Sequence, residues 1–509
     1  MAARPSDPDS DPTDPSQNDR TAGSLMAIAC GLLVAAMAMS RAVVENDVFW
    51  HLAIGRHVLA HGFPFTDPFG IGTDDLPWSP PEWLAEVGMF ALYERVGWGG
   101  LALVHGLLLT AIGALVALRA RTLGAHPAHA LIAVALLSIP ASLHLPMRPL
   151  VTGHLFSALV LFMLARDRRG ERSGVAFLPL VFVLWANLHP SWPLGLGWIG
   201  IELCGRWASG PAARRFGERF VASRPSRALV IALLLSPLAV LIRPDGIDGA
   251  LYPFVHVIGL SDQMREIIEW FPISPTRPLH AMALLLGAVT LGLSLRARKL
   301  DPIELGTALV SLVLMVRYQR FVPLALIGWA PLLASVLPEA AATARLRAGL
   351  GSVRGAAMIT AAMALLAALA FPSPSLLAES VEVGFPVAAT DALIAIDETR
   401  ARDGRTPLAV FTTFEDGGYV LYRRHGGRIY LDSRFDLYAR AGVFREYLAL
   451  RRGEPALPIF EARAMDAAIV PTSARDDHFG AMLAELQANG YPRRFADEQA
   501  VLLVRERAP

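Results

Sequence analysis

The sequence predicts an α-helical, polytopic membrane protein of about eleven transmembrane helices with a small C-terminal α/β soluble domain. Three observations predict it. The chain is 54% hydrophobic and only 18% charged, whereas soluble domains run near a quarter charged. Long stretches carry no charge at all, the signature of membrane spans rather than of one large soluble core. The basic residues then fall in alternate connections between those stretches.

The first residues, 1–23, are rich in Pro, Asp and Ser and predict a disordered tail. They lack the basic start of a signal peptide, so the apolar run Leu25–Val44 reads as a retained first span. A helix needs about 20 apolar residues to cross the hydrocarbon. Candidate spans are 24–44, 99–118, 128–146, 150–165, 175–188, 191–207, 227–242, 279–295, 303–317, 320–337 and 354–371, within a membrane domain 24–375. With the N-terminus cytoplasmic, one set of loops holds Arg119 and Arg121; Arg166, Arg168, Arg169 and Arg172; Arg206 through Arg227; Arg296, Arg298 and Lys299; and Arg345, Arg347 and Arg354. The opposite loops are mixed in charge and rich in Pro, Trp and His. This alternation predicts a bacterial inner (cytoplasmic) membrane protein whose C-terminal domain is periplasmic or extracellular.

That domain, 380–509, alternates short strands and helices. Residues 408–414, 428–433, 467–472 and 500–506 read as strands, and the segments around Gly417, Phe444 and Phe479 as helices, the last stopped at Gly490. Gly417-Gly418 alone makes no phosphate loop. Net charge is +1 and no nucleic-acid motif occurs, so no nucleic-acid partner is expected. The two cysteines, Cys30 and Cys204, lie far apart in apolar stretches and offer neither a disulfide framework nor a metal site.

The chemistry gathers at the outer ends of the spans. The first outer loop, 45–98, is too long for a simple connector. Its segment from Asp47 to Leu59 and the stretch from Glu82 to Val96 read as amphipathic interfacial helices. Asp67 stands in a Pro-Phe-Thr-Asp-Pro-Phe turn. Later outer loops present His144, Arg148 and His154; Asn187, His189 and Trp192; Arg243, Asp245, Glu266, Glu269 and Trp270; and Arg317, Tyr318 and Arg320. Singly, such residues also serve as interfacial anchors or turn caps. Together, ionisable groups at one membrane face mark a functional cavity.

Asp47, Trp50, His51, Leu52, Ala53 and Gly55, then Gly62, Pro64, Asp67, Pro68 and Phe69, then Trp78 and Glu82-Trp83-Leu84, resemble the first outer loop of a bacterial GT-C-like membrane protein family. Its relatives include protein O-mannosyltransferases and the lipid A aminoarabinose transferase. Arg148-Pro149, Trp185 to His189, Glu269-Trp270, Arg317-Tyr318 with Arg320-Phe321, Gly417-Gly418-Tyr419, and Asp432, Arg434, Asp436 and Tyr438 extend the resemblance over most of 40–450. It implies a membrane glycosyltransferase that moves a sugar from a polyprenyl-phosphate-linked donor to a glycan, lipid or protein acceptor. GT-C enzymes carry acidic residues in this loop, often separated by one residue, and Glu45-Asn46-Asp47 has that spacing. Asp47, with Glu45, is the candidate base for the acceptor hydroxyl. His51, Asp67, Arg148, His189, Arg243, Glu269, Arg317 and Arg320 are candidate substrate ligands, the arginines for the phosphate. No metal ligand set is assigned: Glu45 with Asp47 could hold a divalent cation, and His51, His144 and His189 could be read as a metal cluster, but nothing in their spacing demands it. Two other classes remain: a transporter or flippase of lipid-linked or small substrates, and a non-catalytic envelope-assembly protein.

Overall fold

A computed structural model describes residues 15–41, 44–74, 76–216, 225–259, 263–297, 301–338, 341–425 and 427–505. Tail residues 1–14 and the basic residues Arg219, Arg224, Arg298 and Lys299 lie outside them. In chain order the helices of the membrane part are α1 (Pro15–Met39), α2 (Asn46–His61), α3 (Trp83–Thr122), α4 (Pro127–Ala141), α5 (Leu150–Arg168), α6 (Leu178–Leu188), α7 (Pro193–Phe216) and α8 (Arg227–Ala239). They continue as α9 (Gly246–Gly259), α10 (Pro278–Arg296), α11 (Pro302–Arg317), α12 (Pro323–Val336), α13 (Ala341–Gly351), α14 (Val353–Ala370) and α15 (Pro374–Gly384). The C-terminal part is α16 (Val387–Arg402), β1 (Val410–Phe411), α17 (Gly417–Arg423), α18 (Phe435–Arg440), α19 (Val443–Arg451), α20 (Leu457–Ala462), β2 (Ala467–Pro471), α21 (Gly480–Ala488), β3 (Arg493–Ala496) and β4 (Ala500–Val504).

Each of the eleven expected spans coincides with a helix. Among the described residues, six helical stretches are long and apolar enough to cross a membrane and three more are apolar but shorter. The other two expected spans, in α7 and α11, carry buried Glu202 and Glu304. The chain is a multi-pass membrane protein. Leu234, Leu285, Leu309, Val313, Leu365 and Leu369 stand exposed along α8, α10, α11 and α14, a perimeter that water would not tolerate and lipid would. One expectation is corrected here. The disordered tail does not extend to residue 23, because α1 starts at Pro15. Proline is favoured in the first helical turn, and Ala22 and Met26 are buried against Leu350 and Ala356.

Arg119, Arg168 and Arg206, drawn from three separate basic loops, meet at one end of the bundle. Arg119 pairs with Glu304 at 2.5 Å, Arg168 with Glu304 at 2.7 Å and Asp301 at 2.9 Å, and Arg206 with Glu202 at 2.8 Å and Asp167 at 3.0 Å. The opposite ends of α3, α5, α7 and α11 carry the site described below. The two faces inferred from charge alternation are thus two real ends of one bundle.

The two amphipathic segments of the first outer loop are α2 and the first part of α3, which breaks at Gly97, φ 61°. Gly55 of α2 lies so close to α3 that a Cβ there would sit 2.1 Å from the Glu86 carbonyl oxygen. The C-terminal sheet has the order β1-β2-β4-β3, with β1 and β2 parallel and the other pairs antiparallel. The expected strand 428–433 is not a regular strand. Ile429 instead makes isolated bridges to Gly70 and Val410, because the first outer loop competes for its backbone: Ile71 N–H donates to the Ile429 carbonyl at 2.8 Å and Ile429 N–H to that of Phe69 at 3.1 Å. Strand β3 was not expected; its Arg-rich, largely exposed sequence shows no apolar alternation.

This shared backbone continues into a shared core. Trp50, Ile54, Phe69, Ile71 and Trp78 of the first outer loop are buried in the same cluster as Val410, Ile429, Tyr438 and Leu502. The C-terminal domain therefore has no separate interior; the outer loop is one of its walls. Gly418 serves this docking, and Gly417 the close packing inside the C-terminal part. Gly418 packs against the start of α2, and a Cβ on Gly417 would come 1.9 Å from the Leu431 carbonyl oxygen. Gly417→Ala must push backbone aside, so it is expected to cost about 1–3 kcal/mol. Thermal unfolding of the detergent-solubilised protein reads this as a lowered midpoint, and an unchanged midpoint would refute the close-packing role.

Candidate active site

The cavity has a volume of about 840 Å³ and lies between the membrane helices and the C-terminal domain. Its polar wall is built by four chain segments that carry charge to one place. Asp47 sits in the first turn of α2, where the helix dipole favours a carboxylate. Arg148 precedes α5 in a Pro-Met-Arg-Pro stretch. Glu269 lies on the short turn Ile268–Trp270 and Arg320 on the turn Gln319–Phe321. Those two turns are tied together: the Gln319 backbone N–H donates to the Phe271 carbonyl at 2.8 Å, and the Gln319 side chain donates to the Ile268 carbonyl.

Arg148 is the hub. Its guanidinium donates to Asp47 Oδ2 and to Glu269 Oε1, and its Nε lies 3.7 Å from Glu45. One cation thus faces three carboxylates. Although burial works the other way, Arg148 and then Arg320 hold the Glu269 carboxyl below the usual range. Arg320 stands over the Trp270 ring at 4.5 Å and reaches Glu269 only at 3.9 Å. Its N–H groups are less committed than those of Arg148. The other oxygen of Asp47 accepts a hydrogen bond from the Ser433 hydroxyl at 2.5 Å. A carboxylate offers about four lone-pair sites, so Asp47 retains capacity for a further donor from the cavity.

Beside this cluster, Glu82 caps α3 between two imidazoles, 3.1 Å from His189 Nε2 and 3.5 Å from His51 Nε2, while His51 Nδ1 lies 3.1 Å from Glu86. The Ser191 backbone N–H donates to His189 Nδ1 at 3.1 Å. That nitrogen is therefore the acceptor, and Nε2 carries the proton toward Glu82. Burial pushes the Glu82 carboxyl up to about 8, opposed by Arg148 and Arg320. Burial likewise pushes His51 and His189 well below the usual range, with Arg148 adding to the first and Arg320 to the second. Burial thus favours the neutral form of each of these groups. His51, Glu82 and Glu86 have ligand atoms close enough to hold a metal ion, and their imidazole and carboxylate donors suit a divalent transition metal. A second such group among the described residues, Asp476, Asp477 and His478, lies outside the cavity lining, and the carboxylates of Glu45 and Asp47 face Arg148.

Of the residues singled out in the sequence, Asp47, His51, Arg148, His189, Glu269 and Arg320 line the one cavity. Glu45 stands at its rim, about a third exposed, and reaches only Arg148. Three lie elsewhere. Asp67 accepts from Arg434 at 2.6 Å, from the Thr73 hydroxyl at 2.5 Å and from the Gly70 N–H at 2.8 Å. Arg243 is spent on Asp245 at 2.5 Å and on the Ala186 carbonyl. Arg317 is exposed and lies over the Tyr318 ring at 4.7 Å. Glu82, Ser433, Arg434 and Asp436 line the cavity as well, and were not among the candidates. Glu82 stands in the Glu82-Trp83-Leu84 motif and Ser433 between Asp432 and Arg434, but neither carries a charge pattern that separates it from a helix cap or a turn.

No protein-family model matches the chain, and no curated protein matches it in sequence. Among solved structures it is similar to the crystal structure of ArnT from Cupriavidus metallidurans bound to undecaprenyl phosphate, at 14% identity and a TM-score of 0.47, over 94% of this chain and 97% of that one. At that degree of likeness no residue role, ligand or activity carries over.

The Glu82 shift sets a pH dependence. Its carboxyl is near 4.5 when unfolded and about 8 when folded, so the fold favours the protonated form. The stability this gives is complete below the unfolded value and is lost as pH rises through the folded one. Glu82→Gln puts a neutral amide of the same shape beside both imidazoles and removes the titration. Its thermal midpoint is expected to fall less than that of wild type between pH 6 and pH 9; parallel curves would refute the shift.

Proposed function

We propose that the chain is a membrane glycosyltransferase of GT-C type, which moves a sugar from a polyprenyl-phosphate-linked donor to an acceptor hydroxyl on the outer face of the membrane. One observation carries the reading: the cavity joins a carboxylate–guanidinium cluster to an apolar slot. Its polar end holds Asp47, Arg148, Glu269 and Arg320, and its other end is lined by Leu194, Gly197 and Trp198 of α7 and Val310 and Leu314 of α11. A substrate with a charged head and a long apolar tail matches both ends at once, with the head where the ions are and the chain between α7 and α11.

The chemistry follows from the same placement. The acceptor oxygen bonds to the anomeric carbon of the donor sugar, and the bond from that carbon to the carrier phosphate breaks. The hydroxyl proton passes to Asp47, and the carrier leaves as polyprenyl phosphate. A positioned carboxylate makes the hydroxyl nucleophilic as the bond forms. Charge grows on the phosphate as it departs, and a guanidinium already in place stabilises it without reorganisation. Arg320 is the better phosphate ligand, because Arg148 already faces Asp47, Glu45 and Glu269. Arg148 orients the base instead. The sugar arrives already linked to lipid, so no nucleotide site is needed. The cytoplasmic N-terminus and the outward C-terminal domain belong to this proposal, supported by the loop charges.

Asp47→Asn is expected to lower turnover at least about 100-fold while leaving membrane insertion and carrier binding intact. Arg320→Met is expected to weaken binding of polyprenyl phosphate as well as turnover. Turnover assays and carrier-binding titrations in nanodiscs check both, and full turnover by Asp47→Asn would remove the assignment of the base.

A further inference from the structure

We propose that the C-terminal domain supplies part of the catalytic centre, with Ser433 as the positioning residue that fixes the Asp47 carboxylate. The inference rests on the transferase reading above and deepens it, because it makes the site a composite of two parts of the chain 386 residues apart.

The Ser433 hydroxyl donates to Asp47 Oδ1 at 2.5 Å. A lone serine on a loop would not hold that geometry, since a single hydrogen bond seldom outweighs the entropy of ordering a segment. Here the segment is ordered by other means. On one side stands Asp432, fully buried, and on the other Arg434, 2% exposed. The Arg434 backbone N–H donates to Asp432 Oδ1 at 2.9 Å, and its guanidinium donates to both Asp432 oxygens at 2.8–3.0 Å. The same guanidinium donates to Asp67 Oδ1 at 2.6 Å and lies over the Trp78 ring at 5.0 Å. Serine is thus clamped between two buried ions, and the clamp is anchored in the outer loop that follows α2. Asp67, read from sequence as a substrate ligand, belongs to this clamp.

The consequence for Asp47 is geometric. Ser433 holds Oδ1 and Arg148 holds Oδ2, from opposite parts of the protein. Two donors on two oxygens fix the plane of the carboxylate, so its remaining lone pairs keep one direction toward the cavity. With Arg148 alone the group could pivot about a single contact. A base held in one orientation pays no reorganisation when the acceptor arrives. The competence of Asp47 therefore depends on a docked C-terminal domain.

The test compares wild type, Ser433→Ala, Ser433→Thr, Asp47→Asn and the Ser433→Ala/Asp47→Asn pair in nanodiscs. Undecaprenyl-phosphoryl hexoses and pentoses serve as donors, a cell-envelope extract supplies acceptor hydroxyls, and released polyprenyl phosphate is measured. Ser433→Ala is expected to lower kcat about tenfold, the scale of one hydrogen bond to a charged group. Donor KM and the thermal midpoint should stay near wild type. Ser433→Thr, which keeps the hydroxyl, is expected to restore most of kcat. In the pair, Ser433→Ala should add no loss to that of Asp47→Asn, because it acts through the group already removed. Wild-type kcat in Ser433→Ala beside a dead Asp47→Asn overturns this proposal alone, as do losses that multiply in the pair. Full activity in Asp47→Asn overturns the transferase base and this proposal together.

Discussion

The Arg434 guanidinium holds the site-bearing end of this protein together. It is buried between Asp67 of the first outer loop and Asp432 of the C-terminal domain and is boxed by the rings of Phe69, Trp78 and Tyr438. Taking three charged groups out of water is costly, and breaking such a set by removing one partner costs about 3–5 kcal/mol. Its value lies in what it specifies. A bidentate pair on one side and a single acceptor on the other admit one docking of loop against domain. That docking closes the cavity from above, buries Trp78 and Ile71 in the domain's core, and carries Ser433 to Asp47. The helices below are arranged by lipid-facing apolar surface and by the Arg119–Glu304–Arg168 cluster at the far end. Neither would place the domain.

The electrostatics of the site follow from the same enclosure. Excluding water strengthens every charge interaction inside, and the cavity answers in two ways. Around Arg148 carboxylates crowd: the guanidinium holds Glu269 below the usual range against burial, while burial pushes Glu45 up to about 7. Where no cation makes contact, at Glu82, burial favours the neutral acid and neutral imidazoles. Two neighbouring groups of acids thus share one enclosure, one gathered on a guanidinium and the other set among imidazoles.

Much of the fold was legible because membrane spans and their loop charges are written in local composition. The eleven apolar runs coincide with helices, and Arg119, Arg168 and Arg206 do meet at one end. The amphipathic segments at Asn46–His61 and after Glu82 are helices as the spacing implied. What failed depended on distant partners. Residues 428–433 have a strand's composition, but their pairing goes partly to the Phe69–Ile71 backbone, which no local pattern records. Strand β3 sits at an exposed edge and has no apolar face to betray it. The same limit governs the site. Asp47, Arg148, Glu269 and Arg320 were visible as ionisable groups at span ends, where charge is expensive. Asp67 and Arg243 looked alike in sequence, but their partners, Arg434 and Asp245, turn them into struts. Ser433 carried no signal, because a serine shows its role only through the carboxylate it touches.

The central claim is that one amphipathic cavity binds a lipid-linked sugar and cleaves it from its carrier. The most direct measurement is to incubate the purified protein in nanodiscs with a panel of polyprenyl-phosphate-linked sugars and a cell-envelope extract that supplies acceptor hydroxyls, and to quantify free polyprenyl phosphate by mass spectrometry. The account predicts release from at least one donor, at a rate that falls when the slot between α7 and α11 is filled by Gly197→Trp. Absence of release from every donor, with the protein folded and inserted, would contradict it.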